Sequence, residues 1–254
     1  MSRAKIHWLE EGRLPEKSMI LEAVPGVGNV GKILIDSLIE KHPSRTIGWI
    51  LHPDFPPHAT LSEEGLIGPP RLDINTTMLP DGERLVTITG VMQPMTAAGQ
   101  FEVAEAILDL ADVAETSRLL VLAGLASEPE RRSIFAVCSD KEVRSSLERD
   151  DIEVSKDQPH AGMIGVAGMV LSLSPTMGVP TIGVIAETIG ASSDVLAAER
   201  MARWIEQAFE VTLDLDLDTT KETAARLMER MGEEGPIEDY LSMGENEASS
   251  DFYV

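Results

Sequence analysis

The stretch Met19 to Lys41, MILEAVPGVGNVGKILIDSLIEK, constrains this chain more than any other. An apolar run, Ile20 to Val24, leads into a turn holding Gly26, Gly28 and Gly31. Behind the turn, Val30, Ile33, Leu34, Ile35 and Leu38 make a helical apolar stripe. Strand, glycine turn and helix in that order begin an α/β layer. Glycine carries no Cβ, so the backbone turns sharply there and the helix approaches the sheet closely. The literal spacing Gly26-x-Gly28-x-x-Gly31 is also that of a dinucleotide fingerprint. That chemistry needs a second strand ending in an acid for the ribose. The next expected strand, Thr46 to Leu51, ends at His52, with Asp54 displaced beyond a proline. The turn therefore reads first as architecture, with a small anion at the helix start as the alternative.

The same alternation of strand and helix continues along the chain. His52 to Pro80 is loop-rich, with Pro53, Pro56, Pro57, Pro69 and Pro70, and is expected to cross the sheet edge or an interface. Leu72 to Ile74 and Thr76 to Met78 are short extended pieces, and Pro80 to Glu83 is a turn. Leu85 to Thr89 is a buried strand. The helix after it is capped by Thr96 or Gly99 and buries Phe101, Ala104, Ile107, Leu108 and Ala111. Arg118 to Ala123 is apolar enough for a central parallel strand. Ile134 to Cys138 is read as another buried strand, then a helix at Lys141 to Leu147 and an extended Ile152 to Val154.

From His160 to Pro180 there is no Asp, Glu, Lys or Arg. A buried helix ending near Leu173 is expected, with Gly162, Gly165 and Gly168 along one face. Thr181 to Ala186 is the last strand. Asp194 to Glu210 then has Val195, Ala198, Ala202, Ile205 and Phe209 on one side, and a second helix follows with Ala224, Leu227, Met228 and Met231. The fold class is α/β, with a C-terminal helical hairpin. Residues 1–212 form the core domain, with 52–80 as its crossing segment. Residues 213–232 form a helix on the core or on a partner subunit, and 233–254 an acidic tail.

Charge narrows the partners. With 43 acidic against 21 basic residues, the formal charge is -22. Nucleic acid and anionic membranes are repelled, whereas a basic protein surface or a saline cytoplasm suits such a chain. Cys138 is the single cysteine, so no internal disulfide forms. The N-terminal residues show no signal-peptide pattern, and no run reaches the length of a membrane span, so a cytoplasmic location is expected.

Catalytic chemistry is not evident. His7, His42, His52, His58 and His160 lie at no metal-ligand spacing, and no metal or cofactor is expected. There is no GxSxG and no phosphate-binding P-loop. Glu187, at a strand end, is the best acid–base candidate. With His52, Asp54 and His160 it would form a ligand edge at the carboxyl ends of the strands, where open α/β sheets bind their ligands. The tail offers a different site. Residues 233–254 carry no lysine or arginine, yet end Phe252-Tyr253-Val254. A flat hydroxylated ring, an apolar neighbour and a carboxylate on an acidic tether have the make-up of a docking ligand; a chance ending, or one tucked onto the body, is the alternative.

Taken together, Pro25-Gly26-x-Gly28-Asn29-Val30-Gly31, Thr89-Gly90 before Gln93-Pro94, Leu122-Ala123-Gly124-Leu125 and Gly162-Met163-Ile164-Gly165 resemble the proteasome assembly chaperone 2 family. The likeness spans roughly residues 18 to 210. It implies a three-layer α/β/α sandwich resembling the phosphorylase/nucleoside-hydrolase-like fold, without catalysis, and a homo-oligomer. One archaeal branch of the family ends in a hydrophobic–Tyr–any motif, matched here by Phe252-Tyr253-Val254. By that resemblance the partner is the 20S proteasome, and the motif docks between its α subunits to assist assembly, open the gate, or both. The chain has no AAA ATPase signature, so activation of this kind would be independent of ATP.

Overall fold

The computed structural model describes residues 2–9, 13–61, 65–154, 162–190 and 193–215. The first half holds β1 (Lys5–Trp8), β2 (Met19–Ala23), α1 (Val30–Lys41), β3 (Ser44–Leu51), β4 (Thr60–Leu61), β5 (Ile67–Gly68), β6 (Leu72–Met78) and β7 (Arg84–Gly90). The second holds α2 (Ala97–Val113), β8 (Arg118–Ala126), β9 (Ile134–Cys138), α3 (Lys141–Arg149), α4 (Gly165–Met177), β10 (Thr181–Thr188) and α5 (Val195–Phe209).

Apart from Glu22, β2 is apolar on both faces because it is covered on both. Leu21 and Ala23 point into one cluster with Ile33, Leu34 and Leu38 of α1 and Met201 and Ile205 of α5. Ile20, with Val24 just past the strand, points into the other, against Ile107 of α2 and Val166 and Val170 of α4. An eight-stranded sheet, in the order β1-β3-β6-β7-β2-β8-β10-β9, thus lies between two helical layers. The middle four strands, β7-β2-β8-β10, are parallel, and those outside them pair antiparallel. All-apolar strands belong in such a doubly covered centre. The helices that follow or precede these strands begin at the strands' carboxyl ends, so α1, α2, α4 and α5 all start on one rim, here called the carboxyl edge.

Several expectations need correction. Leu72 to Met78 is one continuous strand, not two pieces, and Pro80 to Glu83 turns it into β7, with the Glu83 amide donating to Asp81 Oδ1 at 2.9 Å. Phe101 points outward from α2, while Ala104, Ile107, Leu108 and Ala111 are buried. β9 is an outer strand antiparallel to β10, which leaves Cys138 half-buried. Ile152 and Val154 are buried but pair with no strand among the described residues.

The uncharged helix differs most. α4 is only partly buried and runs on to Met177, past Pro175. Proline supplies no amide to the Leu171 carbonyl, but the Ser174 hydroxyl donates to that oxygen at 3.0 Å, and the helix continues. Gly162 lies outside the helix and Gly165 starts it, so the three glycines do not share a face. At the other end of the chain, α5 is capped by Asp194 and packs on α1. Leu213 and Leu215 are buried against the same cluster. The second helix of the expected hairpin lies outside the described residues.

Candidate functional site

Three neighbourhoods line the carboxyl edge. At its centre, Gly28 has φ +64° inside a short 3-10 turn, a conformation other residues seldom adopt. A Cβ on Gly31 would lie 2.6 Å from that of Leu122 on β8, so the glycine lets α1 rest on the sheet. The Gly28 carbonyl accepts from the Asp194 amide at 2.9 Å, and Asp194 also accepts from the Thr188 hydroxyl at 2.6 Å. The turn is therefore filled by the protein's own groups. β3 lies three places from β2, beyond β7 and β6, so the acid of a dinucleotide site is not beside the turn. Gln93 spans the same region: its Nε2 donates to the Pro25 carbonyl at 2.7 Å, and its Oε1 accepts from the Val166 amide at 3.1 Å. That side chain caps α4, because Ile164, the residue just before the helix, makes no side-chain capping bond.

The second neighbourhood gathers His52 and Asp54 with residues not singled out from sequence: Arg3, Thr96 and Glu102. Arg3 forks onto both oxygens of Asp54 at 2.8 Å, and its Nε donates to Glu102 at 3.1 Å. His52 Nδ1 accepts from the Asp54 amide at 3.0 Å, so Nε2 carries the proton and donates to Glu102 at 3.1 Å. The Thr96 hydroxyl donates to Asp54 and caps α2 by accepting from the Gly99 amide. The Arg3 amide and the His52 ring hold the Glu102 carboxyl down to about 2, and the Arg3 fork lowers Asp54. These are carboxylates kept ionised by cations and donors, the reverse of a poised general acid.

Glu187 forms the third. Its carboxylate accepts from the Ser127 hydroxyl and the Ser133 amide, both at 3.0 Å, and pairs with Arg131 at 3.3 Å. Burial raises its pKa, but the Ser133 and Ser127 donors and Arg131 outweigh that and lower it. From β3 to β10 is five strand spacings, about 24 Å. His52 and Asp54 thus share one cluster, and Glu187 belongs to another. His160, Phe252, Tyr253 and Val254 lie outside the described residues. Burial raises the Cys138 thiol to about 11, away from nucleophilic use. Among the described residues, no three His, Cys, Asp or Glu gather as metal ligands, and no helix is long and apolar enough to cross a membrane.

Sequence reasoning passes over Glu22. It stands between Ile88 and Val121, fully buried, with neither carboxylate oxygen hydrogen-bonded among the described residues, and burial pushes its pKa up to about 8. Its signal was an acid inside an otherwise apolar strand, MILEA.

The fold is that of an α/β protein with one central sheet between two helical layers. The PAC2 family model matches residues 20–234, and the chain belongs to that family. Uncharacterized protein MJ1210 of Methanocaldococcus jannaschii is 24% identical over 186 residues, covering 72% of this chain and 70% of that protein. The fold is similar to the crystal structure of Pyrococcus furiosus PbaB, an archaeal proteasome activator (TM-score 0.73, 20% identity, 96% of this chain and 99% of that one). It is equally similar to Pyrococcus furiosus PbaA, an archaeal homolog of proteasome-assembly chaperone (TM-score 0.73, 17% identity, 94% and 99%).

Proposed function

We propose that this chain is a non-catalytic, cytoplasmic, homo-oligomeric protein of the proteasome-chaperone type that binds the 20S core through Phe252-Tyr253-Val254. In this reading the α/β body is a phosphorylase/nucleoside-hydrolase-like scaffold put to no enzymatic use. Residues 1–212 present the acidic segment 233–254. Tyr253 bears on a pocket wall between α subunits, Phe252 anchors, and the Val254 carboxylate meets a lysine. Binding energy alone then assists assembly or opens the gate, without ATP. Several tails on one oligomer add the avidity that a single short motif lacks.

The observation that carries this reading is the coincidence of two things in one chain. Its family membership and fold resemble a protein described as a proteasome activator, and its last residues match the motif of the tail-bearing branch. Peptide hydrolysis by an archaeal 20S particle tests it, with wild type, Tyr253→Ala and a chain lacking residues 252–254. Stimulation by wild type, and a loss of tenfold or more in both variants, is expected. If wild type neither binds nor stimulates the particle, the reading fails; binding without stimulation leaves assembly as the role.

A further inference from the structure

α2 and α4 both end on the amino edge, the rim opposite the carboxyl edge, where α2 turns back into β8 and α4 into β10. These strands are neighbours, and the Leu119 amide donates to the Pro180 carbonyl at 3.0 Å to tie their starts together. At the two turns lies a cavity of about 210 Å³, lined by Ala111, Asp112, Glu115 and Thr116 on one side and Val179 and Pro180 on the other. Gly178 leaves its rim open, since a Cβ there would meet nothing within 4 Å.

The chemistry of this cavity is that of a cation site. Two helices bring their C-terminal ends, the negative ends of their dipoles, to one opening. Asp112 and Glu115 are exposed there, and among the described residues neither carboxylate has an ion pair or a hydrogen bond. Thr116, only 6% exposed, lies in the wall, and its buried hydroxyl has no partner among the described residues. A buried hydroxyl is seldom left unsatisfied, and an incoming N–H would satisfy it. Asp109, one turn back on α2, adds another exposed acid. Of the cations, Lys17 meets this end of α2 through its amide, which donates to the Ala114 carbonyl at 2.9 Å. Its side chain is outside the lining, and exposed Glu16 beside it cancels its charge. Arg118 is engaged elsewhere, with Asp150 and the Phe209 ring. Two carboxylates are too few for a metal centre, and no metal-ligating trio occurs among the described residues. The cavity is also smaller than the roughly 300–1,000 Å³ typical for a free small molecule, but it suits one side chain. Val113, next after Asp112 and 83% exposed, offers apolar contact to whatever surrounds that side chain.

We propose that this cavity receives a lysine side chain of a partner protein. Its ammonium is held by Asp112, Glu115 and the Thr116 hydroxyl, and its aliphatic stem lies along Val179 and Pro180. Three donors on a compact cation match three acceptors, and the excess of acid on the whole chain draws such a partner in. The site stands apart from the tail, and neither reading rests on the other. The test is an NMR titration of the full chain at physiological salt. The probes are a blocked peptide with one lysine between two leucines, the same peptide with norleucine in place of lysine, and spermidine. The variants are Asp112→Asn with Glu115→Gly, Thr116→Val, and Val113→Ser.

The lysine peptide should shift the Thr116 and Gly178 amide signals saturably, and the norleucine peptide should leave them in place. The carboxylate pair variant and Thr116→Val should each weaken the lysine peptide roughly tenfold. Neither should cost stability: Glu115 holds φ +48°, which suits glycine better, and valine copies the shape of threonine without its unpartnered hydroxyl. Shifts spread over the acidic surface, with no saturation at Thr116, overturn the site, and so does a lysine peptide that binds both variants as it binds wild type. If Val113→Ser leaves the peptide unweakened, the partner reading falls, and displacement of the peptide by spermidine then assigns the cavity to a free polyamine. Should a variant lose its cooperative melt, the unaltered chain decides through the contrast between the lysine and norleucine peptides.

Discussion

Glu22 and Glu187 stand two strands apart in one sheet, both hidden from solvent, yet their surroundings drive them in opposite directions. Glu187 is the next-to-last residue of β10, where the loop after β8 brings a hydroxyl, a free amide and a guanidinium to its oxygens. Glu22 is also one residue from its strand's end, but it points under α2 and α4, among Ile20, Val24, Ile88 and Val121. Among the described residues no titratable or charged group faces it: the buried residues of α2 and α4 are apolar apart from Ser174, and burial raises its pKa. Backbone amides of the neighbouring strands are committed to the ladder. A buried carboxylate is sustained by donors the loops supply, and the interior of a parallel sheet supplies none.

Removing Glu22 should give the largest effect. In the folded state its carboxyl stays protonated to about pH 8, whereas the unfolded chain ionises near 4.5. The folded state holds the extra proton, so stability is highest below about 4.5 and falls as pH rises towards 8. The loss across that window is on the order of 4–5 kcal/mol. Glu22→Met keeps the volume and abolishes the titration. Its melting temperature should exceed that of wild type by roughly 10 °C at pH 8, with little difference near pH 4. Calorimetry across pH checks this. If the wild-type slope between pH 5 and 8 persists in the variant, the contrast between the two carboxylates breaks.

Glu187→Gln should act with the opposite sign. The lowered pKa of Glu187 means its contribution is present above the ordinary carboxylate value and lost as pH falls through the lowered one. The amide keeps one acceptor but turns an NH₂ towards the Ser133 amide or the Ser127 hydroxyl, and leaves Arg131 without its anion. A destabilisation of about 1–3 kcal/mol at pH 7, shrinking as pH falls through the lowered pKa of Glu187, is expected in urea titrations. A variant as stable as wild type at pH 7 would mean that these donors merely compensate the burial.

The core of the fold was legible because periodicity records burial. Apart from Glu22, Arg118 and Thr181, the stretches Ile20 to Val24, Arg118 to Ala123 and Thr181 to Ala186 are apolar, and only strands covered on both faces need that. The antiparallel flanks were less so: β9 and β6 follow from pairing partners distant in sequence, which no local pattern encodes. α4 misled because an uncharged helix reads as interior whether its cover is the same chain or another surface. At the site, His52 and Asp54 could be grouped by adjacency. Arg3 could not, being 51 residues from Asp54 and 99 from Glu102. Glu187 stood out at a strand end but is fully satisfied there, and Glu22 was hidden by its apolar neighbours.

The Arg3 cluster sharpens the comparison by supplying the missing case, carboxylates that are well partnered but open to solvent. Arg3 is 44% exposed, against 16% for Asp54 and 19% for Glu102. Arg3→Ala removes the fork, but Asp54 keeps the Thr96 hydroxyl and Glu102 keeps the His52 ring. Water and ions reach the site, so the pair contributes little and is screened. The expected result is a melting temperature slightly below wild type at low salt, merging with it at about 0.5 M salt. The deficit of Glu187→Gln should persist at the same salt, because its partners surround a carboxylate only 1% exposed. If Arg3→Ala costs as much as Glu187→Gln and is equally insensitive to salt, solvent access does not set the weight of these networks. Partner number would then outrank burial, and Glu22 would be costly only for lacking donors.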